Sequence, residues 1–526
     1  MSIDTEKSQK ICQRLVIKGT LCLETPTHLG NGDNPNQSQM TLFRDPIDQR
    51  AVLAGTTLAG ALRDYLRAHE YGHRTEEPEA QKDDPRHLMA ENLFGGRKKD
   101  PNGDQSPLIV DDAWSQHPST LHDGVAIDNA TRTATDGQKD DAWSQYSSIL
   151  RDGVAIDNTT RTADDEKKFE FELLPVGTAF QIRLELALSE ETNQQQKLKR
   201  ALALALDGLA KGEIALGART SRGLGRCKVH KWEVSTYNLT TPDGLLAWLA
   251  SDAFAEYQTV EVMRGDAWTA LGVTKDNLPD DARKTLHLCV DFTLASPMLI
   301  GGDGPLSDTD IQPNATHICD KNKPILPGSS LAGALRARAV RIVKTLNIAN
   351  DNDLIEKLFG SSINQNEEQE EQKDQTGQRK QKQGSRLRVT ETKITNDHSL
   401  VQHRVAIDRF TGGALETALF SEAPLTAGAF RLHIQIDDPE HDEIGLLLFL
   451  LKDLWTGDLR LGGTQSIGRG RLCGHRAKLK LHEDQPQTWT ITQTKDGLDI
   501  TGDQQALEKY GQALYSKRDT AQEDAA

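Results

Sequence analysis

Acidic residues gather in two glycine-rich stretches: Asp33 in Gly30-Asn31-Gly32-Asp33, and Asp303, Asp308 and Asp310 within Gly301–Asp310. A carboxylate on such a loop can hold a hydrated Mg2+ or assist proton transfer at a phosphodiester. The same residues are also ordinary turn chemistry, because Asp beside Gly closes tight turns. Each stretch leads to Gly55-Thr56-Thr57 or Gly328-Ser329-Ser330, and both are followed by Leu-Ala-Gly-Ala-Leu-Arg, at 58–63 and 331–336. A helix beginning there presents free backbone N–H groups and a positive dipole end to a phosphate. The hydroxyls of Thr56, Thr57, Ser329 and Ser330 and the guanidinium groups of Arg63 and Arg336 would add to it, with Ser329 and Ser330 expected as N-cap residues. A capped helix in which Gly333 permits close packing is the other use of the same pattern.

A second pattern is Gly217–Arg226, which recurs as Gly462–Arg471. Glycines let a backbone approach a phosphate, and the interleaved Arg219, Ser221, Arg222 and Arg226, or Ser466, Arg469 and Arg471, can neutralise and bond it. A plain surface turn is the alternative. Neither run is GxxxxGK[ST], so nucleotide hydrolysis is not favoured. HExxH and GxSxG are absent, and Asp100–Asp104 fails the calcium-loop pattern because Gln105 stands where glycine is needed. The 15 histidines form no ligand-spaced cluster, and the six cysteines have no CxxC spacing, so ordinary reduced thiols are expected.

A third element is Val-Ala-Ile-Asp, at 125–128, 154–157 and 405–408, the last continuing as Arg409-Phe410-Thr411-Gly412-Gly413-Ala414. The run Arg404–Ala414 pairs apolar residues with a Gly-rich turn, and a protruding hairpin built on it could wedge between bases. An ordinary buried strand reads equally well from the residues.

What must position these groups is a fold written twice. The matched motifs occur in the same order in both halves, including Leu93-Phe94-Gly95 and Leu358-Phe359-Gly360, with Leu-Ala-Gly-Ala-Leu-Arg offset by 273 residues. The expected domains are 12–235 and 286–480, joined by 236–285, in which Asp243–Tyr257 reads as a short helix, and followed by a peripheral tail, 481–526. Within the first half, residues 111–168 contain a tighter duplication at an offset of 29. The polar runs 75–91 and 364–383 lack apolar periodicity and read as surface insertions, the latter disordered.

The 526 residues carry a formal charge of −16, which argues against a phosphate-rich partner. The excess acid is unevenly placed: 75–91 carries −4, 111–139 carries −3, 236–285 carries −4 and 481–526 carries −5. The duplicated cores are therefore neutral, with arginines in their loops. No apolar run approaches a membrane span and Met1–Lys10 has no signal core, so a cytoplasmic protein is expected.

In this order the elements resemble the RAMP superfamily, and within it the backbone subunit of type III CRISPR effector complexes, here two such subunits fused in a manner similar to subtype III-D variants. The resemblance covers both halves but neither the linker nor the tail. It implies an α+β fold of two tandem RRM-like, or ferredoxin-like, βαββαβ domains, each with an inserted hairpin, or thumb. It also implies that the glycine loops and helix starts hold a guide RNA. The thumbs, with Ile127 or Ile156 in the first half and Ile407, Asp408, Arg409 and Phe410 in the second, would displace guide–target base pairs. Cleavage of target RNA is implied at Asp33 and Asp310, with Asp308 third, using Mg2+ or another divalent cation at Asp33 and Asp310 and no organic cofactor. Implied partners are guide RNA, complementary target RNA, neighbouring backbone subunits, a large polymerase-like subunit and a small subunit, with no membrane.

Two departures matter. In the family the acid lies shortly before an Arg/Lys-Asp pair, but Arg44-Asp45 leaves Gln39 near that place and Cys319-Asp320 leaves Asn314. The first half also has Asn129-Ala130 and Asn158-Thr159 where the second has Arg409-Phe410. The alternatives are a non-catalytic guide-RNA scaffold and a guide-processing endoribonuclease; the histidine acid/base set expected of the latter is not apparent.

Overall fold

The computed structural model describes residues 10–32, 39–73, 89–96, 105–118, 148–156, 163–251, 261–276, 278–302, 313–320, 323–361, 383–483 and 485–518. The chain falls into two compact units whose main boundary lies between Arg283 and Lys284.

In the first unit, strand β1 (Gln13–Leu23) is followed by helix α1 (Gly55–Tyr71), β2 (Leu108–Val110), β3 (Ile149–Ile156), β4 (Ala163–Leu173), β5 (Ala179–Leu188), helix α2 (Thr192–Lys211), β6 (Cys227–Asn238) and a short helix α3 (Pro242–Ala250). β1 lies between β5 and β6, antiparallel to both, with Ile17 opposite Leu184 on one side and Val234 on the other. β2 joins the far side of β5. The order β6-β1-β5-β2 is that of an antiparallel βαββαβ fold. Helix α2 buries Leu198, Leu202, Ala205 and Leu209, a spacing that keeps one face on the sheet.

The second unit repeats the plan with β7 (Thr285–Leu294), helix α4 (Gly328–Thr345), β8 (Leu387–Val389), β9 (Gln402–Ile407), β10 (Ala414–Ala423), β11 (Leu425–Asp437), helix α5 (His441–Thr456) and β12 (Leu472–His482). β7 is central, antiparallel to β11 and β12, and β8 lies beyond β11. Its alternating sequence explains the placement: Leu286, Leu288, Val290 and Phe292 are buried, while His287, Cys289, Asp291 and Thr293 point to the other face.

Residues after His482 are not peripheral as expected. Strands β13 (Gln487–Thr494) and β14 (Gly497–Thr501) extend the sheet past β12, and helix α6 (Gln504–Tyr515) comes after them. Trp489, Tyr510 and Leu514 are buried in the second core. The expected linker belongs to the first unit up to Arg283, and its helix α3 is shorter than the expected Asp243–Tyr257. Thr241 caps it by accepting the Gly244 N–H, and residues 252–260 lie outside the described residues. Of the runs expected to be insertions, 75–88 and 364–382 also lie outside, whereas Met89–Glu91 are no surface insertion: they open a helix, Met89–Phe94, that buries Ala90 and Leu93 against the first core.

Helix α5 starts with a reciprocal cap between Glu440 and Glu443, and Glu443, fully buried, also pairs with the buried Arg386 guanidinium. Breaking a buried pair from one side strands the other charge. Glu443→Ala should therefore lower the stability of the second unit by about 3–5 kcal/mol, read as a fall in the urea midpoint of that unit's transition.

Candidate nucleic-acid interface

The two glycine-rich runs return to their sheets through the same bonds. Ala218 N–H donates to the His28 carbonyl at 3.0 Å, and Gly463 N–H donates to Leu299 at 2.8 Å. Gly225 and Gly470 donate to Pro26 and Pro297 at 3.1 and 2.8 Å, while Leu216 and Leu461 donate to Gly225 and Gly470 at 2.8 and 3.0 Å. The loops approach so closely that a Cβ on Gly225 or Gly470 would sit 2.0 Å from the carbonyl oxygen of Leu216 or Leu461, at φ values of +82° and +83°. Only glycine fits such a position. The next residue is fixed as well, Arg226 N–H donating to Thr25 Oγ1 and Arg471 N–H to Ser296 Oγ, both at 2.9 Å.

Helices α1 and α4 are not capped as expected. The N-cap positions are Ala54 and Pro327, neither of which supplies a side-chain bond. Ser329 and Ser330 fall instead in the first turn, because Lys323–Leu326 remains a strand up to Pro327, whose backbone is extended. Thr56, Thr57 and Ser329 are exposed and Ser330 half-buried, so the hydroxyls border first-turn N–H groups. One of these is already used: Gly55 N–H donates to Asp112 Oδ1 at 2.7 Å. Arg63 and Arg336 have a task inside the fold, donating to the carbonyl oxygens of Gly95 (3.3 Å) and Gly360 (3.0 Å). That bond ties each helix to its Leu-Phe-Gly turn and accounts for the joint recurrence of the two motifs.

In the first unit these parts meet around a cleft of ≈ 490 Å3. Its walls come from His28–Gly32, from Met40, Thr41 and Phe43, from Ala54 and Thr57 at the start of α1, and from Gly217 and Ala218. His28 was not singled out by sequence reasoning. It is buried, with Nδ1 2.8 Å from the Glu172 carbonyl, so this nitrogen carries the proton.

A family model of the RAMP superfamily matches residues 20–228 and 291–473. The chain belongs to the RAMP superfamily. The first matched segment, apart from 155–164 and 221–223, falls in the first unit and the second segment in the second unit, so the chain carries two fused RAMP domains. No curated protein matches the chain.

Each RAMP domain carries a hairpin beside its sheet, β3–β4 in the first and β9–β10 in the second. The second copy of the local repeat supplies Ile156 on β3; Ile127, in the first copy, lies outside the described residues. The hairpin bases are held by buried acids. Glu172 pairs with Arg44 and accepts from Ser148 and from the Leu42 N–H, and although burial pushes its carboxyl up, these donors hold it below its ordinary value. In the second domain Glu422 faces Arg469 at 2.8 Å, and Arg469, only 3% exposed, also donates to Gln402 Oε1 and Thr464 Oγ1. Arg469 is thus enclosed in the fold, whereas Ser466, Arg222 and Arg471 are exposed and Ser221 and Arg226 half-buried. Arg219 lies over the rings of Phe169 and Phe171, 4.4 and 4.8 Å from their centroids.

The end of β9–β10 is a turn built by Asp408, which accepts the Phe410 N–H at 2.9 Å and the Thr411 hydroxyl at 3.0 Å. The Phe410 N–H chiefly, then the Thr411 hydroxyl, keep its carboxyl below the ordinary value. The turn leaves Arg409 exposed and Phe410 99% exposed, next to Ile407 at 62% and Leu419 at 69%. A hairpin that presents apolar side chains to water is shaped for contact rather than for self-burial.

Asp33, Asp303, Asp308 and Asp310 lie outside the described residues; Gly32, in the cleft wall, directly precedes Asp33. Near the places where the family has its acid, Gln39 pairs beside Glu170 of β4, and the Asn314 amide oxygen accepts the Ser421 N–H of β10 at 2.8 Å. Among the described residues no group of three or more His, Cys, Asp or Glu side chains is placed to hold a metal. The cleft walls contain no carboxylate, so the described residues alone do not fit Mg2+, a cation that prefers carboxylate and water oxygens.

Two substitutions separate architecture from surface. Gly470→Ala should disrupt its loop and lower the melting temperature of the second domain, because the new Cβ overlaps a backbone carbonyl. Phe410→Ala should leave stability within about 0.5 kcal/mol by the same melting assay, because the ring is exposed.

Proposed function

We propose that the chain is a guide-RNA-binding backbone subunit of a type III CRISPR ribonucleoprotein, and that it cleaves complementary target RNA beside nucleotides displaced by its hairpins. The observation that carries this reading is the cleft, where the loop leading to Asp33, the first turn of α1 and the glycine-rich run share one wall. Backbone N–H groups at the helix starts and the hydroxyls of Thr56, Thr57, Ser329 and Ser330 suit guide phosphates, with Arg222, Arg226 and Arg471 supplying charge. The tip of β9–β10, with Ile407 and Phe410, is the wedge, and Ile156 on β3 holds the place of Ile407 in the shared Val-Ala-Ile-Asp.

Displacing a nucleotide frees its 2′-OH to line up with the adjacent phosphate, so positioning supplies much of the rate. Asp33 and Asp310, with Asp308 as a further candidate, would take or guide the proton of that hydroxyl. A divalent cation such as Mg2+ bound at Asp33 and Asp310 would stabilise developing phosphate charge, and no organic cofactor is needed. Implied partners are the target RNA, neighbouring backbone subunits, and large and small effector subunits in the cytoplasm. Among the described residues no helix is long and apolar enough to cross a membrane.

In the assembled complex, Asp33→Ala and Asp310→Ala should each slow one cut by roughly a hundredfold or more, seen as loss of one band in a target-RNA ladder. Chelation of divalent cations should remove all bands. If both variants keep every cut at the normal rate, the chain is a guide scaffold and cleavage belongs elsewhere.

A further inference from the structure

A short strap, residues 278–283, is fastened to the last turn of α1 just before the second domain begins. Leu278 packs against the first core, and the Ala282 N–H donates to the His69 carbonyl at 2.9 Å, satisfying one of the carbonyl groups that the end of a helix leaves free. Arg283 then closes on three partners. Its Nη1 donates to Glu213 Oε2 at 3.0 Å, its Nη2 and Nε donate to Asp281 Oδ2 and Oδ1 at 2.7 and 2.9 Å, and its guanidinium lies 4.6 Å from the centroid of the Tyr65 ring. The Tyr65 hydroxyl donates to the same Glu213 oxygen at 2.8 Å, and burial pushes it well above its ordinary pKa, so that it stays a donor.

The second domain fills the matching place differently. In the first, a Cβ on Gly208 would sit 2.6 Å from Tyr65 Cζ, so the ring occupies space that a glycine leaves open. Gly208 stands four residues before the glycine that ends α2, and Asp453 stands four before the one that ends α5; Arg338 holds the place of Tyr65 after the repeated Leu-Ala-Gly-Ala-Leu-Arg. Arg338 donates to Asp453 at 2.6 Å, which closes the place with the domain's own ion pair. Half-exposed ion pairs such as those of Arg283 add little to global stability, because water screens them and long side chains lose freedom. What a stacked guanidinium gripping both oxygens of a carboxylate supplies is a single geometry. Across the next peptide bond the Lys284 carbonyl accepts the Asp438 N–H of the second unit at 2.8 Å, and β7 starts at Thr285. Adjacent residues are thus fixed to different units, and the chain passes from one to the other across a single peptide bond.

We infer, on the reading of the chain as a nuclease that makes two cuts, that this strap is a spacing lock, with Tyr65, Glu213, Asp281 and Arg283 as positioning residues that hold the two cuts at one separation. Freeing residues 279–283 would lengthen the junction by up to about 17 Å, at about 3.4 Å per extended residue. That reach is enough to carry the second acidic loop past several nucleotides, whereas a docked strap returns each cut to one phosphate. Helix α1 suits the anchor, because its first turn borders the cleft and its last turn holds the strap. A rigid helix so carries the position of the cleft to the exit of the domain.

The test uses the full chain, in which Arg283 and Lys284 are adjacent trypsin sites that the double variant Glu213→Gln/Asp281→Asn leaves in place. Trypsin should nick that variant after residues 283 and 284 roughly tenfold faster than the parent, because local opening sets the rate, with the melting temperature unchanged. In the assembled complex the target band that depends on Asp310 should spread over neighbouring nucleotides while the band that depends on Asp33 stays sharp, a split that a merely structural role would not produce. Should the double variant not fold, Tyr65→Phe, which removes a single hydrogen bond, should move both readouts in the same direction. Nicking no faster than the parent's, or two bands as sharp as the parent's, would overturn the inference. If the parent cuts no target, the nuclease reading fails by itself, and small-angle X-ray scattering decides the lock: a larger radius of gyration in the variant upholds it, and an equal one overturns it.

Discussion

The geometry of each RAMP domain depends on a close approach between two stretches of backbone. The glycine-rich run has to pass within contact distance of the turn that leaves the first strand, with Gly217 against His28 and Gly462 against Leu299, leaving no room for a side chain. Because the bonds joining them are main-chain bonds, the approach fixes the relative height of two things at once: the turn leading to the acidic loop and the return strand of the sheet. A cleft built this way is held by groups that cannot change rotamer, which suits a site that must hold a polymer backbone at constant depth.

On this common frame the domains have diverged in what they put around it. The hairpin base of the first is locked by Arg44 and Glu172, contributed from before and after the hairpin, whereas the second brings Arg469 from its glycine loop to Glu422. The second arrangement couples loop and hairpin through one guanidinium, so that they form a single rigid piece. The sheets diverge further: a helix packs on the outer face of one, while the other is widened by two strands. Duplication followed by separate elaboration of equivalent surfaces accounts for these differences.

Much of this was legible in the sequence because the chain contains its own comparison. Leu-Ala-Gly-Ala-Leu-Arg and Leu-Phe-Gly recur as blocks, and alternating apolar residues mark β7. What escaped was long-range. Glu172, which the sequence does not single out, is buried with Arg44, 128 residues earlier, bonded to its carboxylate. Ser329 and Ser330 have high N-cap preference, but the strand before them ends in Pro327, and tertiary structure decided the helix start. The last residues looked peripheral because their anchors, Trp489, Tyr510 and Leu514, are widely spaced in an acidic, polar background. His28 gave no signal, since a single histidine carries no spacing.

The bonds from Arg63 to Gly95 and from Arg336 to Gly360 have an evolutionary consequence. Each fastens the end of the helical segment to the body of the domain, so that the connector beyond it departs from a fixed point. In the sequence the connectors from Gly95 to Leu108 and from Gly360 to Leu387, residues 96–107 and 361–386, differ about twofold in length between otherwise matching domains. Closing a connector costs free energy only as the logarithm of its length, so that difference is worth about 0.7 kcal/mol. The arginine clasp thus makes this corner a port where the lineage could add or remove sequence without disturbing the cleft.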